Sequence, residues 1–257
     1  MDDRVVCDGE SRRAPAVVLL HAGGLDARMF DTDMSALSRL GRVVRYDRRG
    51  RGAPEAGNVA IDHIAELRGV IDRECDGRAV LVGSSFGGQL AVDFALAHGE
   101  RVAALLLVGP GLTGHIESQE RRARMARLAA AARHGRDQLA RAWLEDRHLA
   151  PHGYPAAITR LVCDMLRDNA PLFLAPLRTV PVPPALPRLG RLKVPGRVYV
   201  GELDDADNQQ IAQALAHAAP ALELHMVRAA GHFPMLERVG WLPHALAALL
   251  DELDARA

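Results

Sequence analysis

Cysteine is scarce in this chain, and what there is lies scattered. Cys7, Cys75 and Cys163 are the only three in 257 residues. Their number is odd and they form no C-x-x-C pair. That argues against a disulfide framework and a cysteine-built zinc site, and it fits a reducing, cytoplasmic setting. An excess of one charge is also missing, since 32 Lys and Arg balance 32 Asp and Glu. A nucleic acid or an acidic membrane surface would call for a basic surplus, so neither is expected as a partner. The one dense basic run, 121-RRARMAR-127, fits a solvated helix face. Long hydrophobic stretches are absent too. The longest early run, 14-APAVVLLHAGG-24, is too short to span a bilayer. Met1, Asp2, Asp3 and Arg4 do not open a secretory leader. No fixed-period repeat occurs, and the only biased tract is the Pro-rich 181-PVPPALPRLGRLKVP-195. Aromatic residues make up 4%, so any ligand pocket is expected to be largely aliphatic.

What is present is ample apolar material, 49% hydrophobic against 25% charged, enough to core one domain with room for an insertion. Short β-type runs alternate with longer helical segments. The runs are 16-AVVLLH-21, 42-RVVRYD-47, 79-AVLVGS-84, 102-VAALLLVG-109, 197-RVYVGE-202 and 222-LELHMV-227. Several are apolar without alternation, as strands covered on both faces are. Helices are predicted at 28–40, 59–75, 86–98, 208–218 and 236–254. This order implies an α/β fold with a mostly parallel, doubly wound sheet whose ligands gather at the carboxyl ends of the strands. From Thr113 to Pro187 no strand is evident. Two helical stretches, 117–146 and 154–177, read as an insertion between two strands, and the Pro-rich tract returns the chain to the sheet.

In 79-AVLVGSSFGGQLAVDFALAHG-99 an apolar strand runs into a helical pattern through two serines. Only Ser85 has glycine both two places before it, Gly83, and two places after it, Gly87. A serine hydroxyl is a weak nucleophile until a base takes its proton and donors hold the oxyanion. A sharp strand-to-helix turn supplies that geometry, and it needs small neighbours because backbone passes close by. The amide of Phe86 then points at the developing oxyanion. A base and an acid should follow after later strands. In 230-AGHFPMLE-237, His232 follows Gly231 just past a strand and precedes the last helix. In 198-VYVGELDDADN-208, Asp204, Asp205 and Asp207 compete as the acid. Asp204 comes first after the turn and is chosen, while Asp205 and Asp207 suit the N-cap of the next helix. The second oxyanion donor is expected in 21-HAGGLDARMF-30, at the amide of Gly23, with His21 ordering that loop.

Taken together, His21-Ala22-Gly23-Gly24, 46-YDRRGRG-52, 83-GSSFG-87, 201-GELD-204 and 231-GHFPMLE-237 resemble the α/β-hydrolase superfamily, in that family's order and over residues 16 to about 250. The resemblance implies an α/β-hydrolase core over 1–112 and 188–257, a helical cap over 113–187, and the catalytic triad Ser85, Asp204 and His232. It assigns no chemistry to Asp47 or the arginines after it. The chain departs from the family at Ala22, where Gly is usual, and at Val239, where Pro often stands. Its leading antiparallel strands must also be short.

The expected reaction is hydrolysis of a carboxylic ester, lactone or thioester through an acyl-enzyme, with Gly23 and Phe86 as the oxyanion hole. No metal and no organic cofactor is required, and the partner is a small-molecule substrate. Gly24, Trp143, Tyr154, Phe173 and Phe233 are candidate pocket residues, with Met125 and Met165 as further cap linings. C–C bond hydrolysis is the nearest alternative, and a non-hydrolytic cyclase or small-molecule binder is a further one. The expected protein is a cytoplasmic monomer or homodimer, and its Ala- and Arg-rich composition suits a bacterial source.

Overall fold

Unbroken apolar runs become strands because a strand with helices on both sides has no face left for polar residues. The computed structural model describes residues 5–9, 15–50, 60–175 and 177–256. Arg51 and Gly52, which end the YDRRGRG turn, lie outside them. Seven strands are present among the described residues: β1 (Val5–Asp8), β2 (Ala16–Leu20), β3 (Val43–Tyr46), β4 (Ala79–Ser84), β5 (Val102–Val108), β6 (Gly196–Gly201) and β7 (Leu222–Val227). They form one sheet in the order β1-β3-β2-β4-β5-β6-β7. Every pairing is parallel except that of β1, which runs antiparallel to β3 with Val5 opposite Tyr46. The central strands β2, β4 and β5 are buried at every residue.

The helices are α1 (Met34–Leu37), α2 (His63–Glu74), α3 (Phe86–Ala97), α4 (Gln119–His134), α5 (Arg136–Leu144), α6 (Ala156–Asn169), α7 (Ala206–Ala218), α8 (Pro234–Glu237) and α9 (Trp241–Arg256). Alternate strand residues point to opposite faces, and the two cores follow that period. Val17, Leu19, Val80, Val82 and Leu106 pack with Met34 and Leu37 of α1 and Leu246 of α9. Val18, Leu20, Leu81, Leu105 and Leu107 pack with residues of α2, α3 and α7, such as Val70, Phe94 and Ile211. Helices therefore cover both faces, which makes the sheet doubly wound. Leu128, Trp143, Val162 and Met165, from the inserted segment, join the first of these cores.

Several predicted helices are broken. The 28–40 stretch is a 3-10 turn at Ala27–Phe30 followed by α1. Asp26 accepts from the Arg28 amide at 3.1 Å, and Asp33 accepts from Gly240 at 2.8 Å. Asp26 thus caps the start of the 3-10 turn, while Asp33 stands at the break before α1 with its carboxylate turned to Gly240. The 117–146 stretch divides into α4 and α5 at Gly135, whose φ is 135°. The 236–254 stretch divides into α8 and α9 around Gly240. Between Thr113 and Pro187 the only β-type pairing among the described residues is an isolated bridge between Ile61 and Thr179. Among the described residues no helix is long and apolar enough to cross a membrane.

Candidate active site

Ser85 ends the β4 turn with φ 52° and ψ −112°, a strained backbone for a residue with a Cβ. Its amide donates to the Val108 carbonyl at 3.0 Å, and its own carbonyl accepts from Gly111 at 2.9 Å. The turn is thus pinned to the chain leaving β5. The flanking glycines are needed for space. A Cβ on Gly83 would lie 2.5 Å from the Gly87 carbonyl oxygen and 2.7 Å from the Gly88 Cα. A Cβ on Gly87 would collide with the Leu20 carbonyl. Backbone on both sides leaves room for hydrogen alone.

Asp204 follows β6 and His232 follows β7, so parallel strands deliver both to the carboxyl edge of the sheet that Ser85 occupies. His232 Nδ1 donates to Asp204 Oδ2 at 2.8 Å, and both side chains are buried. Oδ1 of the same carboxylate accepts from the Asp205 amide at 2.8 Å and from Asn208 Nδ2 at 2.9 Å. Asn208 Nδ2 also lies 2.6 Å from His232 Nδ1. The His232 amide donates to the His148 carbonyl at 2.7 Å, and the Gly231 amide to Glu237 at 2.8 Å. These two adjacent amides pin the backbone that carries the ring.

Asp205 and Asp207 sit beside Asp204 and do other work. Asp205 caps α7 by accepting from the Asn208 amide at 2.8 Å. It also pairs with Arg121 at 2.8 Å and with Arg124. Burial alone would raise the Asp205 carboxyl, but the two guanidinium groups and the Asn208 amide outweigh it and hold it below the usual carboxylate range. Asp207 accepts from Ser118, and its Oδ1 lies 2.7 Å from His115 Nε2.

Ser85 and His232 face one cavity of about 690 Å³, although no hydrogen bond joins their side chains among the described residues. Gly23 and Gly24 line the same space. The Gly23 and Phe86 amides donate to no acceptor within the protein among the described residues. The two residues are neighbours, since a Cβ on Gly23 would lie 3.7 Å from the Phe86 Cβ. Two free amides beside the strained serine could together hold an oxyanion. His21 is locked in place. Its Nδ1 lies 2.9 Å from the Ala22 carbonyl, and its Nε2 accepts from the Arg48 amide at 3.2 Å.

Trp143, Phe173 and Phe233 line the cavity with Phe86. The Trp143 and Phe233 rings stack with centroids 5.7 Å apart, and Phe173 meets Trp143 edge-on at 6.4 Å. The wall is therefore partly aromatic, against the aliphatic pocket expected from composition. Few aromatics are present, and four of them gather here. Met125 also lines the cavity. Tyr154 and Met165 do not. The Tyr154 hydroxyl turns away to donate to the Leu149 carbonyl, and burial raises its phenol above the ordinary range. Met165 is sealed in the core.

Two features of the site escape the sequence reading. Asn208 stands four residues past Asp204, one helical turn, and that spacing is the signal that could have found it. Arg48 is buried at 6% exposure and lines the cavity, with no signal beyond its place after a strand.

The profile of the alpha/beta hydrolase family matches residues 17–249. A 2-hydroxy-6-oxononadienedioate/2-hydroxy-6-oxononatrienedioate hydrolase of Burkholderia vietnamiensis is 39% identical over 107 residues, 38% of this chain and 37% of that protein. A pimeloyl-acyl-carrier-protein methyl ester esterase of Nitrosomonas europaea is 34% identical over 94 residues, 37% of this chain and 36% of that protein. The chain thus spans little more than a third of the length of these two curated relatives. The crystal structure of an enol-lactonase from Burkholderia xenovorans LB400 superposes with a TM-score of 0.75 at 25% identity, covering 98% of this chain and 95% of that one. The family profile takes in the parallel strands from Val17 onward, the serine turn and both later loops, and the chain belongs to the alpha/beta hydrolase family.

Proposed function

We propose that this protein is a serine hydrolase that cleaves a carboxylic ester, lactone or thioester of a small molecule through an acyl-enzyme. One observation carries the reading. The Asp204–His232 pair, joined at 2.8 Å, shares a cavity with the strained Ser85. His232 Nε2 takes the Ser85 proton as Oγ attacks the carbonyl carbon. Asp204 keeps the Nδ1 proton in place and stabilises the imidazolium. The Gly23 and Phe86 amides hold the tetrahedral oxyanion. The intermediate collapses, and the leaving alcohol or thiol takes the proton from His232. Water then attacks the acyl carbon as it gives a proton to His232; collapse breaks the bond to Ser85 Oγ, releases the acid and returns that proton from His232 to Oγ. Helices α4 to α6 serve as the cap that closes the substrate space over this edge of the sheet.

A second reading, C–C bond hydrolysis of an activated diketone, draws on the match to a hydrolase whose named substrate is a keto diacid rather than an ester. Intact-mass measurement after treatment with a fluorophosphonate tests the nucleophile. Wild type should gain one adduct and Ser85→Ala none. Turnover of p-nitrophenyl esters should fall by about 10⁴–10⁶ in Ser85→Ala. Full turnover in that variant would overturn the mechanism. Parallel assays on esters, thioesters, lactones and a vinylogous diketone separate the two readings.

A further inference from the structure

Arg48 carries a buried charge without a counter-charge. Its side chain is anchored along one edge. Nε donates to His21 Nε2 at 3.3 Å, and Nη2 donates to the His21 and Ala22 carbonyls at 2.9 and 3.2 Å. A guanidinium has five N–H donors, and these bonds leave both protons of Nη1 unused. No carboxylate lies within ion-pair distance of Arg48 among the described residues. Asp47 and Glu66 act on it only from further away, and burial lowers it to about 10. A cation taken out of water is costly unless it is paired. The other cavity-lining arginines from α4 are already paired, since Arg121 and Arg124 both hold Asp205.

The position of Arg48 is specific. Its guanidinium carbon lies 4.3 Å from the centroid of the Phe86 ring. His63 meets the same ring edge-on with centroids 5.7 Å apart, and it also lines the cavity. Phe86 is the residue after Ser85, so the cation sits about one side chain away from the proposed nucleophile. Arg48 stands two residues past the end of β3, and that placement brings it to the carboxyl edge of the sheet.

We propose that Arg48 is a carboxylate-binding subsite, and that the preferred substrate is an ester or lactone bearing a free carboxylate a few carbons from the scissile carbonyl. This rests on the hydrolase reading and narrows it. The Nη1 edge donates to the substrate carboxylate, and the pairing supplies the counter-charge the folded protein lacks. Phe86 holds the guanidinium plane in place by cation–π contact. The same contacts with the His21 and Ala22 carbonyls tie the subsite to the loop that offers the Gly23 amide.

The test compares two p-nitrophenyl esters of equal reach, the hemiglutarate with its free carboxylate and the methyl-capped glutarate without charge. Wild type should favour the hemiglutarate by at least about tenfold in kcat/KM. Arg48→Met should bring that ratio to near one, whatever happens to the absolute rates, and Arg48→Lys should keep part of it. A wild-type ratio at or below one would overturn the proposal, as would a preference that survives Arg48→Met. Where Arg48→Met does not fold, Arg48→Lys and Arg48→Gln give the ratio. If neither ester turns over and no fluorophosphonate adduct forms, the hydrolase reading falls. Calorimetry with monomethyl and dimethyl glutarate then judges the subsite alone. Tighter binding of the monomethyl acid that is lost with the arginine supports it, and equal binding overturns it.

Discussion

Asn208 Nδ2 donates to Asp204 Oδ1 at 2.9 Å, while Arg121 donates to the amide oxygen at the other end of the same side chain. Arg121 therefore fixes which way the Asn208 amide faces. That orientation fills Oδ1 of Asp204 and leaves Oδ2 for His232. Arg121 belongs to α4 and Asn208 to α7. Helix α4 is thus wired to the acid that the proposed mechanism uses.

Asn208 is a positioning residue for the Asp204–His232 pair. Asn208→Ala should lower kcat by about 10- to 100-fold with KM nearly unchanged, because it loosens the carboxylate without touching the substrate. Steady-state kinetics on wild type and variant check the split. A fall confined to KM would mean that Asn208 acts on binding.

Gly109 leaves β5 with φ 49°, and a Cβ there would lie 2.8 Å from His232 Nδ1 and 3.1 Å from Asp204 Oδ2. Gly109→Ala should push the imidazole off its carboxylate and lower kcat by about 100-fold or more. The left-handed backbone adds roughly 1–2 kcal/mol of instability. Urea melts should show that modest loss beside the much larger kinetic effect.

Asp205 neutralises Arg124, which is 6% exposed. Asp205→Asn should destabilise the fold by about 3–5 kcal/mol at pH 7, since it leaves a buried guanidinium unpaired. The Asp205 carboxyl is held low in the folded state. The stabilisation is therefore present above the ordinary carboxylate range and lost only as pH falls below it. Denaturant midpoints of the two proteins should differ widely at pH 7 and converge only in strong acid.

Asp93 behaves in the opposite sense. Burial raises its carboxyl to about 6, against a weaker opposing hydrogen bond from Thr113 at 2.7 Å. A raised folded value favours the protonated form. The contribution to stability is therefore full below about pH 4 and lost as pH rises through 6. Asp93→Asn should remove that loss and gain up to about 3 kcal/mol at pH 8. Thermal melts from pH 4 to 8 check it, with the variant expected to show the flatter profile.

The parallel strands, the elbow at Ser85 and the turns carrying Asp204 and His232 could all be read along the chain. Each depends on neighbours close in sequence: an apolar run, a pair of glycines around a serine, a polar residue just past a strand. The broken helices were less legible. Gly135 ends α4 with a positive φ, Gly240 with a positive φ stands between α8 and α9, and Asp33, inside 28–40, accepts a hydrogen bond from Gly240, far along the chain. The aromatic wall was missed because a 4% average says nothing about clustering.

The sequence by itself determined the parallel strands and the short motifs, because hydrophobic period and turn chemistry act over a few residues. The solvated face expected for 121–127 did not hold, since Arg124 is buried and both Arg121 and Arg124 turn inward to pair with Asp205. Only the tertiary structure decided which of three neighbouring aspartates meets His232, which amides stay free and which arginine stays unpaired. Those outcomes depend on groups distant along the chain arriving within hydrogen-bond range, and on burial making each unpaired charge costly.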